Sequence, residues 1–195
     1  ILVVGLVVVL VVVTPHSSDI KCENIHLQVS DYDQFQFISE HDVETQLKNQ
    51  GNYPIGHLHS DIDLTAMEQS LEQLNMVKGV TCYFTTNGDV RVSVTQRVPV
   101  FRVMYDGVDY YVDTDRKVMS IPERKEIEVP VFKGNVSQRA ATEEYFDFVE
   151  WLNENPYWLA MIKDVYVKTP KYLVLNQNAH EAKIVLGALD DYERK

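Results

Sequence analysis

His57, His59, Asp61 and Asp63 alternate along the chain, and all four side chains are of types that ligate a divalent metal. The pattern around them offers a plainer use for the carboxylates. Ser60-x-x-Asp63 opens an apolar-periodic stretch, and a helix start attracts negative charge. The two histidines then fall in the preceding loop, and no functional metal is expected. Cys22 and Cys82 sit apart, each in a strand-like segment, with no Cys-x-x-Cys pair and no nearby histidine to activate a thiol. In an oxidising compartment they could form one disulfide if their strands are neighbours; two buried free thiols fit equally well. No Gly-x-Ser-x-Gly elbow, Walker loop, His-Glu-x-x-His helix or glycine-rich dinucleotide turn occurs. Glu143-Glu144 reads as the solvated side of a helix, and Trp151, Pro156, Tyr157 and Trp158 as an aromatic packing cluster. The expectation is no catalytic residue, no cofactor, no small-molecule substrate and no enzyme.

Charge narrows the partners. The 195 residues carry a formal net charge of -11, which repels phosphate backbones and anionic headgroups, so nucleic-acid binding is disfavoured. Arg116-Lys117 and Arg124-Lys125 are short basic pairs among carboxylates and read as solvated loops.

Ile1 to Val13 are apolar apart from Gly5, and the composition breaks at Thr14-Pro15-His16-Ser17-Ser18. The run is shorter than the roughly 20 residues of a bilayer span. It fits the outer part of a transmembrane helix better than the apolar core of a cleaved signal peptide, because no Ala-x-Ala-like site follows it. Residues 1–14 are therefore expected to be a partial anchor and 15–20 a linker, with the remainder outside the cytoplasm.

Ile25, Leu27 and Val29 alternate with polar residues and predict a strand with one buried face. Ser39 and Asp42 form a capping-box pattern ahead of Val43 and Leu47, and Gly51 stops that helix. A second helix starts near Ser60-Asp61 and buries Leu64, Met67, Leu71 and Leu74. Val80, Cys82 and Phe84, then Asn87-Gly88, then Val90, Val92 and Val94 predict two strands joined by a two-residue turn in which both turn residues take positive φ. Strand, helix, helix, strand, strand over about 75 residues is too short for parallel crossovers and suits two helices on a three-stranded sheet.

Beyond it, Phe101 to Tyr105 and Tyr110 to Val112 flank an Asp106-Gly107 turn, and Pro99 suits an edge or a domain junction because it donates no ladder bond. Val129-Pro130-Val131-Phe132 with Gly134, one helix over Ala141 to Asn153, and strands at Val165 to Lys168, Tyr172 to Leu175 and Lys183 to Leu186 complete the second half. The fold class is α+β: a small β-α-α-β-β domain, then a mostly antiparallel β domain carrying one helix.

Gln96-Arg97-Val98-Pro99, closing the last strand of such a unit shortly before Arg102-Val103, resembles the bacterial cell-division family FtsQ/DivIB. Asp109-Tyr110-Tyr111-Val112-Asp113, then Val118-Met119, then Val129-Pro130-Val131 with Gly134, extends the resemblance in order and spacing. It implies a polypeptide-transport-associated (POTRA) domain at 21–97 and an FtsQ-type β domain at 98–195. In the family a glycine commonly stands where Arg116 is, so a turn of another type is expected there. The chain stops at Lys195, where relatives continue into a helix and a closing strand, so the β domain is expected to be incomplete.

The resemblance implies a single-pass divisome scaffold in the inner membrane at the septum, with its bulk extracytoplasmic. FtsB, FtsL and other divisome membrane proteins are the implied partners. In the first domain it places a contact around Leu74, Lys78 and Tyr83; in the second, Tyr172 and Ile184 would border a strand-addition site. A POTRA-containing component of outer-membrane assembly or secretion is the alternative, although no second copy of the module is visible.

Overall fold

The computed structural model of the chain describes residues 20–122, 124–178 and 183–189. The expected anchor at 1–14 lies outside them, as does the linker up to residue 19; among the described residues no helix is long and apolar enough to cross a membrane. The fold is α+β, in two compact units, 20–32 with 38–96 and 33–37 with 97–189.

In the first unit β1 (Ile25–Val29) leads past a short helix, α1 (Tyr32–Phe35), to α2 (Glu40–Asn49). The Ser39 hydroxyl accepts from the Asp42 amide, and the Asp42 carboxylate accepts from the Ser39 amide at 2.8 Å. Two amides at the helix start are thus satisfied, and Val43 and Leu47 lie in the core. α3 (Leu64–Glu72) begins later than expected. Asp63 caps it, accepting from the Ala66 amide at 2.9 Å, while Ser60 lies in a separate 3-10 turn, His59–Asp61.

β2 (Val77–Phe84) and β3 (Val90–Gln96) complete a sheet of order β1-β3-β2. β1 runs parallel to β3, contrary to the expectation that no parallel pairing fits. The return is made by both helices and β2 together, so no single crossover helix is needed. The turn also differs. Thr85 N–H donates to Asp89 and Gly88 N–H to Thr85, and only Gly88, at φ +90°, is left-handed. That is a three-residue loop with a glycine bulge. Cys22, expected within a strand, precedes β1; it and Cys82 are buried free thiols.

The second unit is a seven-stranded sheet of order β10-β9-β8-β7-β4-β5-β6. Its strands are β4 (Pro99–Tyr105), β5 (Val108–Asp113), β6 (Val118–Ser120), β7 (Val131–Gly134), β8 (Ile162–Thr169), β9 (Tyr172–Gln177) and β10 (Lys183–Gly187). Four neighbouring pairs are antiparallel, but central β7 is parallel to both β4 and β8. The β4–β5 hairpin turns on Asp106 and Gly107, both at positive φ, as a two-residue turn requires. Pro99 is the first residue of an interior strand, not part of an edge, and follows closely on the boundary between the units at Gln96 and Arg97, so the junction alternative holds; at a strand start its missing donor costs little.

Three helical segments replace the single expected helix: α4 (Gln138–Thr142), α5 (Glu144–Glu154) and α6 (Pro156–Met161). Glu143 leaves helical geometry at φ -112°, ψ -91° and breaks the first join; Asn155-Pro156 makes the second, with the proline at a helix start where its missing N–H is harmless. Tyr145, Phe146, Phe148, Val149 and Leu152 of α5 bury against Phe101, Val103, Phe132, Val165 and Val167 of the sheet. Truncating one such fully buried aromatic ring costs about 3–5 kcal/mol. The Tyr110 and Tyr145 hydroxyls are buried in this core without a hydrogen-bond partner, and burial pushes both phenols up.

Candidate partner-binding surfaces

The residues that carry the family motif hold the backbone. Gln96 is buried at the end of β3; its carbonyl accepts from the Ile38 amide at 3.1 Å and its amide donates to Ser30 O at 2.7 Å. It thereby ties the end of β1 to the approach to α2. Arg97 donates to Asp113 at 2.6 Å. Arg102 forks onto Asp109 and also reaches Glu126 at 3.0 Å, and these partners, Asp109 first, hold its guanidinium above the usual value. The Tyr111 hydroxyl donates to Ile127 O and accepts from Ile127 N, fixing the segment that leads to β7. Tyr110 packs in the core, pushed up by burial, and Gly134 ends β7 at φ +89°.

In the turn after Asp113, Arg116 adopts φ +60°, the left-handed conformation that favours glycine. The Asp113 carboxylate accepts from the Asp115 and Lys117 amides, while the Arg116 guanidinium lies 4.3 Å from the Phe146 ring and 2.6 Å from Asp147. Side-chain contacts compensate a strain of about 1–2 kcal/mol.

Leu74, Lys78 and Tyr83 fall around one edge of the first unit's sheet. Leu74 is half-buried between α3 and β2, whereas Lys78 and Tyr83 are exposed on β2, Tyr83 at 45 %. β2 is the last strand on its side of the sheet. The Glu68 carboxylate, from α3, accepts from the Cys82 amide at 2.7 Å on that outer side. Burial first, and Glu68 second, push the Cys82 thiol up to about 12.

Tyr172 and Ile184 lie at the other unit's far edge. Ile184 pairs with Leu175 across β9–β10, and Tyr172, 41 % exposed, starts β9 with Lys168 over its ring at 5.5 Å. Among the described residues β10 has no strand on its outer side. Beside it opens a cavity of about 130 Å³ lined by Phe148, Trp151, Trp158, Leu175, Ile184 and Leu186. Both tryptophans are half-buried and Tyr157, against Trp158, is 75 % exposed. The aromatic cluster is therefore part core and part surface. Sequence reading singled out its members but not the groove, which exists only once α6 folds back beside β10.

His57, His59, Asp61 and Asp63 do not converge: His59 is hydrogen-bonded to Gly88 O at 2.6 Å and stacked on Phe84, and Asp63 is a helix cap. Among the described residues no group of histidine, cysteine and carboxylate side chains is placed to hold a metal. What the two surfaces do offer is strand edges flanked by exposed aromatic side chains, an arrangement suited to taking up an extended segment.

Comparison with known proteins agrees with this architecture. Residues 20–95 match a family described as POTRA-like domain, and residues 98–195, just over half of the chain, match one described as FtsQ/DivIB, C-terminal related. A search of curated proteins returned no match. A POTRA-like unit joined directly to an FtsQ/DivIB C-terminal unit is the combination that the Gln96-to-Gly134 motifs anticipated, and the chain belongs to the FtsQ/DivIB family of cell-division proteins.

Proposed function

We propose that the protein is a non-enzymatic, single-pass membrane scaffold of the bacterial divisome, which gathers division proteins by capturing extended segments on its extracytoplasmic domains. FtsB and FtsL are the partners assigned to the β domain, and the apolar run at Ile1 to Val13 is assigned as part of the anchor in the inner membrane. The observation that carries this reading is the cavity walled by Trp151 and Trp158 beside β10, in a unit that matches the FtsQ/DivIB C-terminal family. An added strand gains main-chain hydrogen bonds from the edge, and a side chain seated in the cavity supplies specificity. Lys78 and Tyr83, exposed on β2, are assigned to further divisome membrane proteins.

The test is co-purification from detergent-solubilised membranes. FtsB and FtsL should accompany the protein, and Trp158→Ala should lose them. Capture of nascent outer-membrane barrels with no FtsB or FtsL would replace the division role with one in outer-membrane assembly.

A further inference from the structure

We propose that the groove at the N-terminal ends of the parallel strands β4, β7 and β8 binds a short peptide with a free amino end and a free carboxyl end, the ammonium meeting Glu128 and the carboxylate meeting Lys163. The site lies within the second unit, and its lining shares only Ala160 and its neighbours on α6 with the region of the aromatic cavity beside β10. It does not depend on the scaffold reading.

The chain builds this groove by interrupting its own sheet. β4 and β7 are parallel neighbours whose register starts at Arg102 and Val131, with the Arg102 amide donating to Pro130 O. Pro130 has no N–H, so the ladder is not carried further back, and residues 98–100 and 128–130 enter their strands without being paired to each other. The ladders on either flank are irregular as well. The β4–β5 register slips between Pro99 and Phe101, which makes Val100 an extra residue, and the β8–β9 register slips between Ile162 and Asp164, which makes Lys163 one. Bulges of this kind re-aim side chains and are over-represented beside functional sites. Both bulged residues line the resulting opening, whose volume is about 850 Å³, within the roughly 300–1,000 Å³ of small-ligand sites.

The lining sets the class of ligand. Glu128, in the approach to β7, and Lys163, on β8, are exposed and border the same groove, yet neither is in an ion pair among the described residues. A carboxylate and an ammonium kept apart in one groove leave two opposite charges for a ligand to answer. A small anion or a small cation would use one of them, whereas an unblocked peptide uses both. Val98, Val129 and Leu159 offer apolar surface to its side chains, and Asn153 a side-chain amide that can bond to its backbone.

The experiment follows the backbone amide resonances of the complete, isotope-labelled chain in nanodiscs of neutral lipid during titration with trialanine, N-acetyl-trialanine, trialanine amide and the doubly blocked peptide. Trialanine should shift the Val100, Val131 and Lys163 amides saturably. Blocking either end should weaken binding about threefold, as for an ion pair open to solvent, and blocking both about tenfold. Glu128→Gln should bind trialanine and its acetylated form equally while still preferring a free carboxyl end, and Lys163→Gln should do the reverse. Each variant thus keeps one preference, which shows that its groove is intact. Absence of a saturable shift in the wild type, equal binding of free and blocked peptides, or an end preference that survives loss of its residue overturns the proposal. So do shifts confined to β9 and β10, which would put the peptide on the sheet edge.

Discussion

The Asp113 carboxylate, its side chain 1 % exposed, takes the Arg97 guanidinium on one oxygen at 2.6 Å and caps the amides of Asp115 and Lys117 with the other. One buried group thus joins the start of the second unit to the turn that carries Arg116. Such a pair is weak evidence of net stabilisation, because desolvation offsets its attraction, but removing one partner strands the other. Asp113→Ala should lower the unfolding free energy by about 3–5 kcal/mol. Replacing Arg97 and Asp113 together by apolar residues should cost markedly less than the sum of the single changes. Urea titration of the three variants measures both; additive losses would show that the two side chains do not act as a pair.

Gly134 and Gly107 are both left-handed, at φ +89° and +78°, but their surroundings differ. A Cβ at Gly134 would come within 2.3 Å of Val167 O, whereas at Gly107 it would meet nothing within 4 Å. Gly107→Ala should cost about 1 kcal/mol, the backbone strain alone. Gly134→Ala should cost about 3 kcal/mol or more, since the contact is with backbone and β7 must move relative to β8. Equal melting temperatures for the two variants would contradict this.

The hairpin turns show how far sequence reading reaches. Asp106-Gly107 obeyed the two-residue rule, and the Ser39 capping box formed as the spacing predicted. Asn87-Gly88 did not, because the Thr85 hydroxyl and carbonyl bind the Asp89 and Gly88 amides and extend the loop by one residue. Ser60 and Asp63 offered competing helix caps; the choice of Asp63 goes with Ser60 and Asp61 being spent in the 3-10 turn. The parallel β1–β3 pairing and the left-handed Arg116 rest on partners distant in sequence, Val90 to Val94 for one and Phe146 with Asp147 for the other. No local pattern encodes either. The same holds for the cavity beside β10 and for Glu68, whose bond to the Cys82 amide forms only when α3 is laid along β2.

Burial of Cys82 predicts an alkaline limit to stability. Its thiol ionises near 9.0 when unconstrained and only at about 12 in the folded chain. A raised folded pKa means that the contribution is fully present below 9.0 and is lost as pH rises towards 12. Cys82→Ala should remove this part of the pH dependence while costing some packing at all pH values. The thiols should also resist alkylation in the native state at pH 8 and react together on unfolding, Cys22 being likewise buried and pushed up, first by burial. Rapid native labelling of Cys82 would refute its placement against the helices.

If β10 captures an extended segment, its affinity should concentrate in the cavity next to it. Tryptophan at a partly desolvated pocket is a frequent binding hot spot, worth about 2 kcal/mol or more on truncation. Trp158 is half-buried and shares the cavity with Trp151 and Ile184, whereas Tyr172 lies at the far end of the β9 ladder. Trp158→Ala should weaken capture of FtsB and FtsL at least tenfold, with a smaller change in unfolding free energy, since the ring is not fully enclosed. Tyr172→Ala should have a lesser effect, and Tyr83→Ala, on the other unit, none on these two partners. Titration of the purified proteins by surface plasmon resonance ranks the three. An order in which Tyr83 matters more than Trp158 would move the FtsB and FtsL site to β2 and leave the aromatic cavity as packing.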